Sequence, residues 1–476
     1  MQGLAGARRT VGMQAGERGV GEAVEGTPKK RAMNNVRVFS AEDVRHACHE
    51  QKIRSLQLQF TDILGIVKHL DLPCAQLDKI LAGDVMFDGS AIEGFVRLQE
   101  SDMYLRADPA TFCILPWKTA TARLICDVVT LGGDPYPGDP RYALRRVLAE
   151  AGQLGYSVMI GPEVEFFLYR LDGSGKPSTH TNDIASYFDL APGDAGAEIR
   201  ETIVDALEDM GFGVASCHHE AAPGQHEIDL RYADALTMAD RLVTLRILAR
   251  AIAVRRGMYA TFMPKPASEV NGSGLHLHQS LFTADGSNAF CDARRPEQLS
   301  TIAHGYLAGL LAHAKSFTAI TNPLINSYKR LVPGYEAPTI VTWSHRDHSP
   351  LIRVPSRRGL GTRLEIRSPD PSCNPYLAFA VLIKAGLDGM QRRLEPPPQV
   401  VATAGLPLRE DRERAELMHL PSSLEEALQA LEQDPVMREA LGEAIFRHFV
   451  NAKRIEWDYY RRQVHAWEVE QYLSTF

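Results

Sequence analysis

Apolar and polar residues alternate with period two in several short segments, and recur with helical spacing in longer ones. Leu56, Leu58 and Phe60 alternate with Gln57 and Gln59, which predicts a half-buried strand. Ala122 to Val129 reads as another strand. Ahead of them, Ser40 caps a predicted helix running to about Gln51, with Glu42 and Asp43 in its first turn. The region up to about Pro137 therefore reads as a small domain of mixed sheet. Asp139-Pro140 is a helix start, with a capping side chain and a proline in the first turn. From there strands alternate with helical stretches at about 194–210, 233–256, 296–316, 374–393 and 434–474. Pro396-Pro397-Pro398 marks a loop before the last helices.

Four of the strand-like segments carry chemistry on one face, because residues i and i+2 of a strand point the same way. Glu163 pairs with Glu165 in this sense. Glu227 lies opposite Ile228 and Leu230. His276, His278 and Ser280 share one face, and Arg363, Glu365 and Arg367 share another. Each segment alone also fits an amphipathic strand with a solvated face. Solvated faces usually carry Lys, Thr and Gln, however, whereas Glu, His and Arg recur here, with His218-His219-Glu220 just upstream of Glu227. Converging carboxylates repel unless cations neutralise them. Carboxylate-rich sets with one histidine suit Mg²⁺ or Mn²⁺ better than Zn²⁺. Arginines on the same surface suit phosphate and carboxylate groups. Without a Walker-type glycine-rich loop, this combination points to phosphoryl transfer on an uncommon scaffold.

Composition adds exclusions. A chain of 476 residues is too long for one ordinary core, so two domains or one large compound fold are expected. The net charge of -7, from 52 basic and 59 acidic residues, gives no reason to expect a nucleic-acid partner. The seven cysteines are scattered singly with no C-x-x-C pair, which fits free thiols in a reducing cytosol. The strongest apolar run, Leu377 to Ile383, is far short of a membrane span. Residues 1–34 are rich in Gly, Arg and Ala and read as a disordered extension. Met33 as the true start is the alternative.

Beyond these readings, the chain resembles type I glutamine synthetases from about Val38 to Phe476. The resemblance is carried by Phe87-Asp-Gly-Ser, Gly161-Pro-Glu-Val-Glu-Phe-Phe, His218-His-Glu-Ala-Ala-Pro-Gly-Gln-His-Glu, Asn271-Gly-Ser-Gly-Leu-His, Asn326-Ser-Tyr-Lys-Arg-Leu-Val-Pro-Gly-Tyr-Glu-Ala-Pro and Asn374-Pro-Tyr-Leu-Ala, in family order. It implies an α+β fold. A β-grasp domain over 35–137 would be followed by a catalytic domain over 138–476, a curved antiparallel half-barrel backed by helices. It implies ATP-dependent ligation of ammonium to glutamate in a cytoplasmic dodecamer of two hexameric rings, with sites between subunits. Glu165, Glu220 and Glu227 would hold one metal ion, and Glu163, His276 and Glu365 another. Asn271, Gly272, Arg330 and Arg367 would engage glutamate, with Glu336 on a flap. Ser280, His278, Arg353 and Arg363 would lie near ATP, His278 being alternatively a satisfied core histidine. A neighbouring subunit's copy of Asp88 would help deprotonate ammonium, although by itself Asp88 reads as a turn residue. Arg97 falls where feedback inhibition is sensed in similar enzymes, or is a surface arginine.

Several positions depart from the family pattern. His348 stands where an arginine near the ATP phosphates is usual, with Arg346 two residues earlier. Ala91 replaces a serine of the ammonium pocket, Ala215 replaces a glutamate associated with nucleotide binding, and Ala185-Ser186 replaces Gly-Gly before Tyr187. No counterpart of a tyrosine-bearing adenylylation segment occurs between Pro396 and Leu420. These departures leave two alternatives open: a γ-glutamyl-amine or polyamine ligase, and a catalytically weak nitrogen sensor. Asp88 and Glu336 favour ammonium.

Overall fold

The computed structural model describes residues 39–90, 92, 102–190, 195–295, 297–345, 349–399 and 417–476. The expectations for the 1–34 extension, Ala91, Arg97, Arg346 and His348 lie outside these residues, as does 400–416 of the interval after the proline run.

Alternation near the N-terminus becomes a five-stranded sheet of β1 (Ser55–Thr61), β2 (Val67–Pro73), β3 (Val85–Asp88), β4 (Asp102–Ile114) and β5 (Thr121–Val129). Its order is β2-β1-β5-β4-β3. β1 runs parallel to β5 and the other pairs are antiparallel, so the sheet is mixed as expected. Leu56, Leu58 and Phe60 pack with Val44 and Cys48 of helix Ala41–Glu50, which Ser40 caps through the Asp43 N–H. The half-buried expectation for β1 fails, because Gln57 and Gln59 are buried as well. Arg123, opposite Gln57 on β5, donates to Thr244 Oγ1 of helix Ala235–Arg255 at 3.1 Å. That second face is covered by the rest of the chain, and alternation alone does not reveal such cover.

The larger sheet comprises β6 (Ser157–Leu171), β7 (Pro177–Thr181), β8 (Val214–His219), β9 (Gln225–Leu230), β10 (Ala233–Asp234), β11 (Met258–Thr261), β12 (Leu275–Phe282), β13 (Trp343–Ser344), β14 (Ile352–Arg353) and β15 (Leu364–Ile366). It runs β13-β14-β15-β12-β6-β9-β8, with β7, β10 and β11 also paired to the long β6. It is antiparallel except between β13 and β14, and it curls into a half-barrel. Helices back it. Asn374 caps the helix Pro375–Gln391, whose residues Tyr376 to Leu387 are all buried. That burial explains its nearly continuous apolar sequence.

Arg141, in helix Pro140–Gln153, ties the two sheets together. It reaches Asp127 on β5 at 2.6 Å and Asp108 on β4 at 2.8 Å, and grips Asp240 of helix Ala235–Arg255 at 2.9 and 3.0 Å. Tyr376 Oη donates to the same Asp240 at 2.6 Å.

Two helix expectations need correction. The 296–316 stretch starts at Thr301, capped by Ser300, and breaks at His313 into Thr301–Ala312 and Ala314–Thr321. The 434–474 stretch is three helices: Pro435–Leu441, Glu443–Tyr460 and Ala466–Tyr472. Gly442 at φ +77° makes the first break. A further helix, Leu424–Glu432, was not expected from the sequence, although Ser423 caps it through the Glu426 N–H. Among the described residues no helix is long and apolar enough to cross a membrane.

Candidate active site

Register across the large sheet aligns the chemistry that alternation had placed on single strands. Glu165 of β6 lies opposite Glu227 of β9, and Glu163 lies opposite Asp229. On the other edge of β6, Glu163 faces His276 of β12. His278 faces Glu365 of β15, which in turn faces Arg353 of β14. Glu220 joins them from the turn after β8. All of these side chains except His278 open into one cavity of about 1180 Å³, which includes every predicted metal ligand.

The donor atoms lie close together. His276 Nδ1 lies 3.1 Å from Glu163 Oε2 and 4.0 Å from Glu365 Oε1, and its Nε2 lies 3.8 Å from Glu165 Oε1. Glu163, His276 and Glu365 offer donor atoms all within 4.8 Å of one another, the trio predicted as one metal set. Of the other predicted set, Glu165, Glu220 and Glu227, only Glu227 falls in so close a group, and its companions there are His218 and Asp229. Glu165 Oε2 is held by Gln225 Nε2 and the Gly274 N–H, both at 2.9 Å. Gly274 is needed there, because a Cβ would lie 2.6 Å from Arg330 Nη2 and 3.0 Å from Glu165 Oε1 and His276 Nε2.

Electrostatics ask for added positive charge. Burial, then Glu165 and Asp229, push the Glu227 carboxyl far above its usual range. Burial and Glu165 push Glu220 up to about 7. Burial also opposes ionisation of Glu163, but the imidazoles of His276 and His278 overcome it and hold its carboxyl well below the usual range. Glu220 Oε2 is buried without a hydrogen-bond partner. A donor set in which carboxylate oxygens outnumber the imidazoles of His276 and His218 fits Mg²⁺ or Mn²⁺.

Around the carboxylates stand the predicted substrate groups. Arg330 is buried and fixed by the carbonyls of Ser368 at 2.7 Å and Arg367 at 3.2 Å. Arg367 sits 3.1 Å from Glu365, and its buried Nη1 has no hydrogen-bond partner in a wall of the cavity. That fork fits an incoming carboxylate or phosphate. Asn271 Nδ2 donates to Glu336 Oε2 at 3.2 Å, and Glu336 holds a left-handed φ of +57°, uncommon for a residue with a side chain. Gly272 lines the same wall, and Arg353 reaches Glu365 at 2.5 Å.

The remaining predicted residues lie apart from the cavity wall. His278 donates from Nε2 to Glu163 Oε1 at 2.6 Å and accepts from Arg363 Nε at 3.1 Å, so both residues brace Glu163. Ser280 follows one pleat along β12, beyond the cavity lining. Asp88 ends β3 on the small sheet, where it accepts from the Ser90 N–H, and it does not line this chain's cavity. Ala215 is exposed on β8. Sequence reasoning missed Asp229, although strand alternation from Glu227 points straight to it. It also missed the aromatic wall at the mouth, where Tyr187 and Phe188 stack at 4.1 Å and stand edge-on to His218.

A β-grasp-type sheet followed by a curled antiparallel sheet, on which carboxylates, imidazole and arginines converge, fits the class of enzymes that transfer phosphoryl groups beside divalent cations. The comparisons narrow this. The family model described as glutamine synthetase, catalytic domain, matches residues 137–472, and that described as glutamine synthetase, beta-Grasp domain, matches 52–131. The chain belongs to the glutamine synthetase family. It is 51% identical over 445 residues to a glutamine synthetase of Thermus thermophilus, covering 92% of this chain and 100% of that one. It is 50% identical over 444 residues to one of Staphylococcus aureus, covering 92% and 99%. Among solved structures, a GmaS/ADP complex aligns with a TM-score of 0.83 at 33% identity, over 91% of this chain and 99% of that one. The Plasmodium falciparum glutamine synthetase aligns with a TM-score of 0.80 at 26% identity, over 91% and 98%.

Proposed function

We propose that the chain is a glutamine synthetase. It would join ammonia to the γ-carboxylate of L-glutamate through γ-glutamyl phosphate, releasing ADP and phosphate. The observation that carries this reading is the run of Asp229, Glu163 and His276 across three strands beside the Glu165–Glu227 pair. Glu165, Glu220 and Glu227 would hold one Mg²⁺ or Mn²⁺, and Glu163, His276 and Glu365 another. Bound there, the ions neutralise charge on the nucleotide oxygens.

In the first step a γ-carboxylate oxygen of glutamate bonds to the γ-phosphorus while the bond to ADP breaks. Arg330, Arg367, Asn271 and Gly272 would orient glutamate. Arg353 would face the phosphates, and Ser280, His278 and Arg363 would support that side. In the second step ammonia bonds to the acyl carbon and phosphate leaves. Ammonium must first lose a proton, for which Glu336 and a neighbouring subunit's copy of Asp88 supply carboxylates. The Glu336 segment would also shield the acyl phosphate from water.

Asp88 lying apart from its own cavity supports sites built between subunits of a ring, in the dodecamer that the resemblance implies. A β-grasp domain over 35–137 would precede a catalytic domain over 138–476, in keeping with the smaller sheet preceding the larger along the chain. Seven free thiols fit the reducing cytosol.

One observation favours a second reading, ligation of an organic amine. Tyr187 and Phe188 are 52% and 63% exposed at the cavity mouth, an apolar wall against which an alkyl chain would pack. Phosphate release from ATP and glutamate with Mg²⁺ or Mn²⁺, measured with ammonium and then with small amines and polyamines, separates the readings. Turnover with ammonium supports the proposal. Turnover with organic amines alone rejects it in favour of the second reading. No turnover with any acceptor, beside tight glutamine binding, rejects both in favour of a sensor.

A further inference from the structure

Two proposed metal ligands each follow a histidine in the chain: His219-Glu220 and His226-Glu227. Both histidines are buried, at 1% and 0% exposure, and His219 also borders the cavity. They are paired in register across β8 and β9, their rings 5.0 Å apart. His219 contacts Asp183 Oδ1 through Nε2 at 3.1 Å and the Glu220 carbonyl through Nδ1 at 2.7 Å. The same Asp183 oxygen accepts the N–H of Gly224 at 2.8 Å and of Ala185 at 3.2 Å. Gly224, at φ +69°, makes the turn that carries Glu220. The His219 carbonyl accepts the Phe188 N–H at 3.1 Å, which joins the aromatic wall to the same point.

Asp183, His219 and His226 group closely enough to resemble a cation site. Arg200 Nη1, 2.6 Å from His226 Nδ1, argues against that, and both His219 nitrogens are already engaged. A turn that only had to fold would be at least as stable with well-packed apolar side chains in these places.

We propose that Asp183 and His219 are positioning residues for the metal site. Asp183 orients the His219 ring, and His219 fixes the Glu220 backbone so that its carboxylate meets Glu165 and Glu227. This rests on Glu220 being a metal ligand, as proposed above. Outer groups that orient ligands typically contribute about 10- to 100-fold in metal affinity.

The test is Mn²⁺ binding by the full-length protein, read from the EPR signal of free Mn²⁺ with no substrate present. Asparagine places its amide near histidine Nδ1, and glutamine places its amide near Nε2. H219N therefore keeps the bond to the Glu220 carbonyl, and H219Q keeps only the contact with Asp183. The expected result is roughly tenfold weaker binding in H219Q and near-native binding in H219N. Equal affinities in the two variants overturn the proposal. E220Q is the control: if it binds Mn²⁺ as the native protein does, the ligand assignment fails and the proposal falls with it. If E220Q weakens binding and H219Q does not, the positioning role alone is refuted. Should H219Q fail to fold, D183A, which removes the oxygen shared by His219, Gly224 and Ala185, carries the comparison, with weakened binding supporting the proposal and native binding overturning it.

Discussion

Replacing Arg141 with methionine removes the cation at the junction of the two sheets and keeps much of the side-chain bulk. The cost falls unevenly on its three partners. Asp108 and Asp127 have side chains 22% and 23% exposed, and Arg145 reaches them at 3.0 and 3.3 Å. Water and Arg145 can therefore replace Arg141 there, and each loss is worth about 0–1 kcal/mol. Asp240 is 8% exposed and would be left with the hydrogen bond from the Tyr376 hydroxyl. Stripping one partner from a buried ion pair costs about 3–5 kcal/mol, so Asp240 dominates the total. Equilibrium urea unfolding of R141M should show a loss of that order, and the double variant R141M/D240N should recover more than half of it by removing the stranded charge. A loss below about 1 kcal/mol in R141M, or no recovery in the double variant, would refute the reasoning.

Other outcomes follow from the same geometry. Burial opposes protonation of His313, but Asp434 at 2.7 Å and Asp388 at 3.0 Å overcome it and raise its pKa. That stabilisation is complete below the ordinary histidine value of about 6.5 and is lost as pH rises through the raised one, so H313Q should cost more stability near pH 6 than near pH 9 in chemical unfolding. Equal losses at both pH values would contradict this. Gly274→Ala would press a methyl against Arg330, Glu165 and His276. It should lower kcat/KM for glutamine formation on the order of 100-fold with little change in melting, whereas near-native activity would speak against the crowding. Tyr187→Ala should raise KM for ammonium while leaving KM for ATP unchanged, as steady-state kinetics would show; parallel changes would place the ring elsewhere in the reaction.

The shared faces of the proposed metal ligands were legible because alternation is a local property. Glu163 with Glu165, His276 with His278, and Arg363 with Glu365 and Arg367 follow from the pleat alone. Register is not local. That Glu165 meets Glu227, and Glu163 meets both Asp229 and His276, depends on strand pairings spanning 62, 66 and 113 residues, which no window of sequence reports. The Asp183–His219 brace and the Arg141 clamp were hidden for the same reason, since their partners lie far apart along the chain. The helix breaks were partly visible. Asp434-Pro435 repeats the start signal of Asp139-Pro140, and Gly442 marks a stop. The break at His313 had no such signal. There a buried imidazole held between two carboxylates sets the joint.

Equilibrium dialysis of the full-length protein against Mn²⁺ tests the central claim most directly, because the proposed role of the carboxylate cluster is to gather divalent cations. At least two tightly bound ions per chain are expected, with E165Q losing one and E163Q another. Fewer than two ions in the native protein, or full occupancy retained by both variants, would contradict the account.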